Sequence, residues 1–170
     1  FVPLFAQRLK DDGDVGGARR FAEEVLAVFL PLLVVITAIF MIFMPFFIGL
    51  IVPADWGIGD ARTDFAVAMT RITMPYLVFI CLVSLVSGVL NSLGRFADAS
   101  LAPALLNVTL VIALLLVPEG GEPTVRTMCW AVIAGGVLQL GLTWINMVRA
   151  GIPLRLRPPR LTPGVRELFT

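Results

Sequence analysis

Five side chains in this 170-residue sequence stand where polar chemistry is costly. Arg71, Ser84, Asn91, Asn107 and Gln139 all fall within or at the edge of long apolar runs. They bring one fixed positive charge, one hydroxyl and three carboxamides. Such groups donate and accept hydrogen bonds or pair with an anion; they do not make or break covalent bonds unaided. In an apolar surround each needs a partner, either a neighbouring helix or a polar solute in a water-filled path.

Bond-making chemistry has little to work with. The sequence contains no histidine, so a His-based triad, metal site or proton relay is excluded within this chain. The carboxylates lie in loops or near the ends of apolar runs, and no acid/base pair can be drawn from them. Cys81 and Cys129 sit in separate apolar runs with no second ligand close by, which reads as packing rather than a disulfide or metal site. There is no phosphate-cradling glycine loop and no basic run interleaved with aromatics that would suit nucleic acid. The sequence therefore predicts no enzyme activity, no cofactor, no metal and no nucleic-acid partner.

The elements that must position the five residues follow from hydropathy. Hydrophobic residues make up 58% of the chain and charged residues 15%, against about 45–50% and about 25% in a soluble domain. The charges are clustered, and between the clusters run four stretches long enough to cross a bilayer, at residues 25–52, 65–93, 101–117 and 125–148. In lipid only helices or closed barrels satisfy their own backbone. Barrel strands alternate in polarity, and runs such as 110–117 do not. The predicted fold class is therefore all-α, a polytopic membrane helix bundle. Pro31 and Pro45 can each kink the first of these spans; Pro75 lies within the second and Pro103 in the first turn of the third. Residues 53–64 read as a polar loop with Trp56 at the interface, 92–98 as a short loop, and 118–123 as a turn.

Residues 1–9 read as the tail of an earlier span, and Thr162-Pro163 as the start of a later helix. The chain opens on Phe1 with no charged segment leading to a cleavage site, as expected of an internal piece of a longer protein. Two units result: a membrane unit over 1–148, and a basic linker with the start of the next helix over 149–170.

Alternating the loops between two sides sorts the basic residues. One side receives Arg8, Lys10, Arg19, Arg20, Arg95, Arg149, Arg155, Arg157, Arg160 and Arg166; the other receives Arg62, Arg71 and Arg126. The excess of positive charge marks the cytoplasm. Loops 8–20, 94–99 and 149–166 are thus predicted to be cytoplasmic in a multi-pass protein of the bacterial inner membrane.

Within the spans, polar and small residues recur at helical spacing. Cys81, Ser84, Gly88 and Asn91 form one stripe, and Gly135, Gln139, Thr143 and Asn146 another. Asn107 and Thr109 belong to the third span. Two readings stand open: close helix packing held by amide hydrogen bonds, or a wall of a cavity that a polar substrate crosses. Arg71 is read either as reaching to the outer interface or as a cavity or gate residue.

The stretch RITMPYLVFICLVSLVSGVLNSLGRFADASLAPALLN, from Arg71 to Asn107, resembles the signature of the MurJ (MviN) lipid II flippase family. WAVIAGGVLQL, from Trp130 to Leu140, is similar to the family's sixth helix, and FVPLFAQ at the start to the end of its second. Met74 and the Asp98-Ala99-Ser100 loop depart from the usual pattern. The resemblance implies part of the N-terminal lobe of a MOP/MATE-like transporter, running from the end of helix two to the start of helix seven. It further implies alternating-access flipping of an undecaprenyl-pyrophosphate-linked peptidoglycan precursor, with membrane lipid and the rest of the same chain as partners. The family's main cavity arginines would lie outside this stretch. On these terms Arg71, Ser84, Asn91, Asn107 and Gln139 are the substrate-path candidates. The alternatives are another MOP-type exporter of lipid-linked oligosaccharide or drugs, a non-transporting membrane scaffold, and a membrane transferase whose chemistry lies elsewhere.

Overall fold

The computed structural model of the chain describes residues 15–52, 59–117 and 120–152. The expected span tail at 1–9, the expected helix start at Thr162-Pro163 and most of the 149–170 linker lie outside those residues. The described residues form six helices and no strand: α1 (Val15–Ile42), α2 (Met44–Ile51), α3 (Ala61–Thr73), α4 (Tyr76–Ser92), α5 (Phe96–Leu116) and α6 (Glu122–Arg149). Four helical stretches among them are long and apolar enough to cross a membrane: Arg19–Ile42, Ala61–Ser92, Ala99–Leu116 and Glu122–Arg149. The architecture is an all-α polytopic membrane bundle.

Four helices, α1, α3, α5 and α6, begin before their apolar runs, because a helix does not start where hydropathy does. The first begins at Val15, ten residues before the charge-free run that starts at Val25. Arg19 supports that extra length through Nε–Glu23 Oε1 at 2.9 Å, one turn along the same face. In α3, Asp60 caps the N-terminus by accepting from the Arg62 amide at 2.9 Å. Ala61–Asp64 are therefore helical, where the sequence had suggested loop. Pro123 sits in the first turn of α6 instead of in the preceding turn.

Two prolines break their helices and two do not. Pro45 separates α1 from α2 at Phe43, and Pro75 separates α3 from α4, whereas Pro31 and Pro103 lie inside continuous helices. Where the chain reverses after α4, Gly94 takes φ +76°. The Gly94 amide donates to Asn91 O and the Arg95 amide to Leu90 O, both at 3.0 Å, closing a Schellman turn. The end of α6 repeats this with Gly151 at φ +84°. There Gly151 N donates to Val148 O at 3.0 Å and Ile152 N to Met147 O at 3.3 Å, and both Met147 and Ile152 are fully buried. Arg95 joins the two turns, donating from Nη1 to Asn146 O at 3.3 Å.

The main core lies at this same end of the bundle. Phe21, Ala22 and Leu26 of α1 pack with Val86, Val89 and Leu90 of α4 and with Met147 of α6. Glu23 is buried among them, 1% exposed. In the sequence it stands in a charged cluster with Arg19, Arg20 and Glu24. Burial is tolerated because Arg19, one turn back, supplies an ion pair.

Candidate functional site

A groove of about 260 Å³ opens between α4 and α5, with α6 behind it. Ser84, Ser87 and Asn91 line it from α4. Ser100 and Pro103 line it from α5, and Gln139 reaches it from α6. Helical periodicity places the α4 trio: steps of three and four keep one face. On α5, Ser100 Oγ is turned back onto Phe96 O at 2.9 Å. Pro103 has no N–H, so the Ala99 carbonyl one turn earlier loses its usual helix donor, and Ala99 is itself part of the lining. The groove is lined by hydroxyl and carboxamide side chains beside apolar ones, Ile80 and Val83 among them, with no charged side chain.

Gln139 is 1% exposed and holds three helices together. Its Nε2 donates to Ala102 O of α5 at 2.7 Å, and its Oε1 accepts from Tyr76 of α4 at 3.3 Å. Two glycines let the backbones come this close. A Cβ on Gly135 would lie 2.6 Å from Leu106 Cδ1, and one on Gly136 would lie 2.8 Å from Tyr76 Cδ2 and 3.0 Å from Phe79 Cβ. Thr143, fully buried, turns its hydroxyl onto Gln139 O at 2.9 Å. The α6 stripe of Gly135, Gln139, Thr143 and Asn146 is buried throughout.

The structure therefore brings three of the five sequence candidates together, Ser84, Asn91 and Gln139. The other two stand apart. Asn107 is exposed, one turn beyond Pro103 on the same side of α5. Arg71 lies in the last turn of α3, where its Nε donates to Met41 O at 3.0 Å. The α4 stripe also differs from its reading in the sequence. Ser87 lines the groove, whereas Cys81 and Gly88 do not, and Gly88 is buried. Ser84, Ser87 and Asn91 fit a helical face as well as Cys81, Ser84, Gly88 and Asn91 do, so spacing alone could not choose between them. Ser100 was missed because it was assigned to a loop; it becomes legible only once α5 is seen to begin at Phe96.

A sequence model of the family described as Lipid II flippase MurJ matches residues 1–170. The chain belongs to that family. A protein named probable lipid II flippase MurJ from Rhizobium meliloti (strain 1021) is 36% identical over 172 residues, covering 99% of this chain and 32% of the relative. The protein of the same name from Rhizobium tropici gives the same identity and coverage. Lipid II flippase MurJ of Burkholderia cenocepacia is 42% identical over 111 residues, covering 61% of this chain and 21% of that protein. The chain thus spans about a third of the length of the Rhizobium relatives. With four membrane-length helices, it is part of a multi-pass bacterial membrane protein of the MurJ family. The MurJ-like stretch from Arg71 to Asn107 supplies both α4 and α5 sides of the groove.

Proposed function

We propose that this chain forms part of the N-terminal lobe of a flippase that carries an undecaprenyl-pyrophosphate-linked peptidoglycan precursor across the inner membrane by alternating access. Membership of the MurJ family over the whole chain carries the reading. Physical chemistry supports it: a sugar–pyrophosphate headgroup is costly to desolvate in hydrocarbon, so it needs a polar route, while its lipid tail can stay in the bilayer. Ser84 and Asn91, with Gln139 behind them, furnish neutral hydrogen-bonding groups on such a route; Asn107 extends the same side of α5. The test is rescue of flippase-depleted bacteria by the complete gene. Restored growth and headgroup translocation are expected; intact, membrane-inserted protein that fails to rescue would overturn the reading. In the rescued strain, Ser84→Ala with Asn91→Ala should lower flipping while protein level holds. Normal flipping in that variant would leave those two as packing residues.

The proposed topology places the α2–α3 and α5–α6 connections in the periplasm and the α4–α5 turn, with the chain beyond Arg149, in the cytoplasm. Its support is the uneven split of the thirteen basic residues, ten on one side and three on the other. Cysteine at Gly59 or Gly120, in a background lacking Cys81 and Cys129, should react with an impermeant thiol reagent in intact spheroplasts. Reaction at both only after lysis would invert the topology.

A further inference from the structure

Arg71 sits at the meeting point of two broken helices. In an α-helix the carbonyl of residue i accepts from the amide of residue i+4. Residue 45 is proline, so the carbonyl of Met41 has no amide to receive. At that point α1 ends, Phe43 adopts φ −86° and ψ 9°, and the Phe46 amide turns to Phe43 O at 3.0 Å. The donor that reaches Met41 O is the Arg71 Nε, at 3.0 Å and from thirty residues away in sequence. The second break repeats the arithmetic. Residue 75 is proline, so the carbonyl deprived of its amide is that of Arg71 itself. One guanidinium, in the last turn of α3, therefore bonds the C-terminal end of α1, where backbone carbonyls concentrate negative charge.

Depth makes the arrangement demanding. Arg71 is six residues into the apolar run that begins at Phe65, about 9 Å along the helix, and Met41 lies eleven residues before Val52, where its own run ends. The Arg71 backbone is thus inside a bilayer core about 30 Å thick, nearer its edge than its middle. A cation at such depth must be paired or bonded to backbone carbonyls.

We propose that Arg71 is a positioning residue that pins the two proline breaks to each other, so that the α1/α2 bend and the α3/α4 bend move as one hinge. Arg71 supplies to Met41 the hydrogen bond that Pro45 withholds. Its importance therefore depends on Pro45: restoring an amide at position 45 lets the helix satisfy Met41 internally and makes Arg71 dispensable for the bend. A residue acting only by charge, or only on cargo, has no such dependence. Coupling of the hinge to transport rests on the flippase reading above; the hinge geometry does not.

The experiment uses the full-length protein, with spin labels at the exposed positions Val35 on α1 and Leu50 on α2, about 22 Å apart along the helices. Four backgrounds are compared: unmodified, Arg71→Met, Pro45→Ala, and both together. Methionine keeps length and helix preference and removes every donor. The distance distribution should broaden in Arg71→Met, be narrow in Pro45→Ala, and stay narrow in the double variant. Flipping should fall by roughly tenfold in Arg71→Met and be less sensitive to that substitution when Pro45 is also replaced. An unchanged width in Arg71→Met, or equal broadening with and without Pro45, overturns the proposal. Should Arg71→Met fail to accumulate, abundance becomes the readout: rescue by Pro45→Ala supports the pin, and lack of rescue overturns it. If the widths respond as stated but the unmodified complete protein rescues no flippase-depleted strain, the hinge stands and the flippase reading falls. If rescue succeeds while the widths do not respond, the hinge alone falls.

Discussion

The α4–α6 packing and the α1–α3 corner face the same problem, polar backbone in an apolar surround, and meet it by opposite means. In α5 and α6 the helices run unbroken, and glycine at 135 and 136 brings backbones close enough for the Gln139 amide to reach Ala102 and Tyr76. In the corner, Pro45 and Pro75 interrupt the helices, and the exposed Arg71 reaches a carbonyl left over at the break. Close backbone approach fixes one geometry, because any shift produces overlap. A proline break held by one long side chain leaves a bend free to change once that contact is lost. The difference sets close-packed backbones in one region against interrupted helices in the other.

The comparison is broken most directly at Gly136. Gly136→Ala should destabilise the complete protein by about 1–3 kcal/mol, read as thermal unfolding in detergent. Its new methyl would meet Phe79 Cβ at 3.0 Å, and that atom, fixed to the backbone, cannot move aside. Gly135→Ala should cost less although its nearest contact is shorter, because the atom met at 2.6 Å is the end of Leu106, which can rotate. The reverse order would show that the α5–α6 approach, not the α4–α6 approach, is the rigid one.

Next in size is the amide. Gln139→Leu should cost about 0.6 kcal/mol, and at most about 1.7, as other hydrogen bonds between membrane helices do. Tyr76→Phe should cost less, its bond being the longer at 3.3 Å. The two changes should combine to less than their sum, since they share one contact. Strict additivity in a double-mutant cycle would mean that the phenol and the amide do not interact. The smallest effect is expected outside the packed region. Gly49→Ala in α2 meets nothing within 4 Å and should shift stability by no more than about 0.5 kcal/mol. A larger loss there would reveal close packing where the described residues show none.

How much of this was legible beforehand differs from residue to residue. The spans were legible because lipid leaves the backbone few choices, and a long charge-free run admits little but a helix. Turns carried by glycine were legible near Gly94, though the same device at Gly151 was passed over inside a basic stretch. Pro31 and Pro45 announced kinks without saying which would break the helix, since each removes the same backbone amide. Spacing showed that Ser84 and Asn91 share a face but not that Ser87 would line the groove in place of Gly88. It marked Gln139 as one member of a polar stripe but could not name Ala102 and Tyr76 as its partners.

What the sequence by itself determined about this protein is its class and its membrane character: hydropathy and charge clustering dictate an all-helical bundle, and the Arg71–Asn107 stretch points to its family. Those properties come from local terms, transfer free energy and backbone satisfaction, which can be added residue by residue along the chain. Only the tertiary structure decided what each polar side chain is for. Arg71 meets Met41 across thirty positions, Gln139 meets Tyr76 across sixty-three, and Asn107 meets neither of them. Hydrogen bonds are short and directional, so a polar group's role is set by which atom lies about 3 Å away, and no period along the chain encodes that.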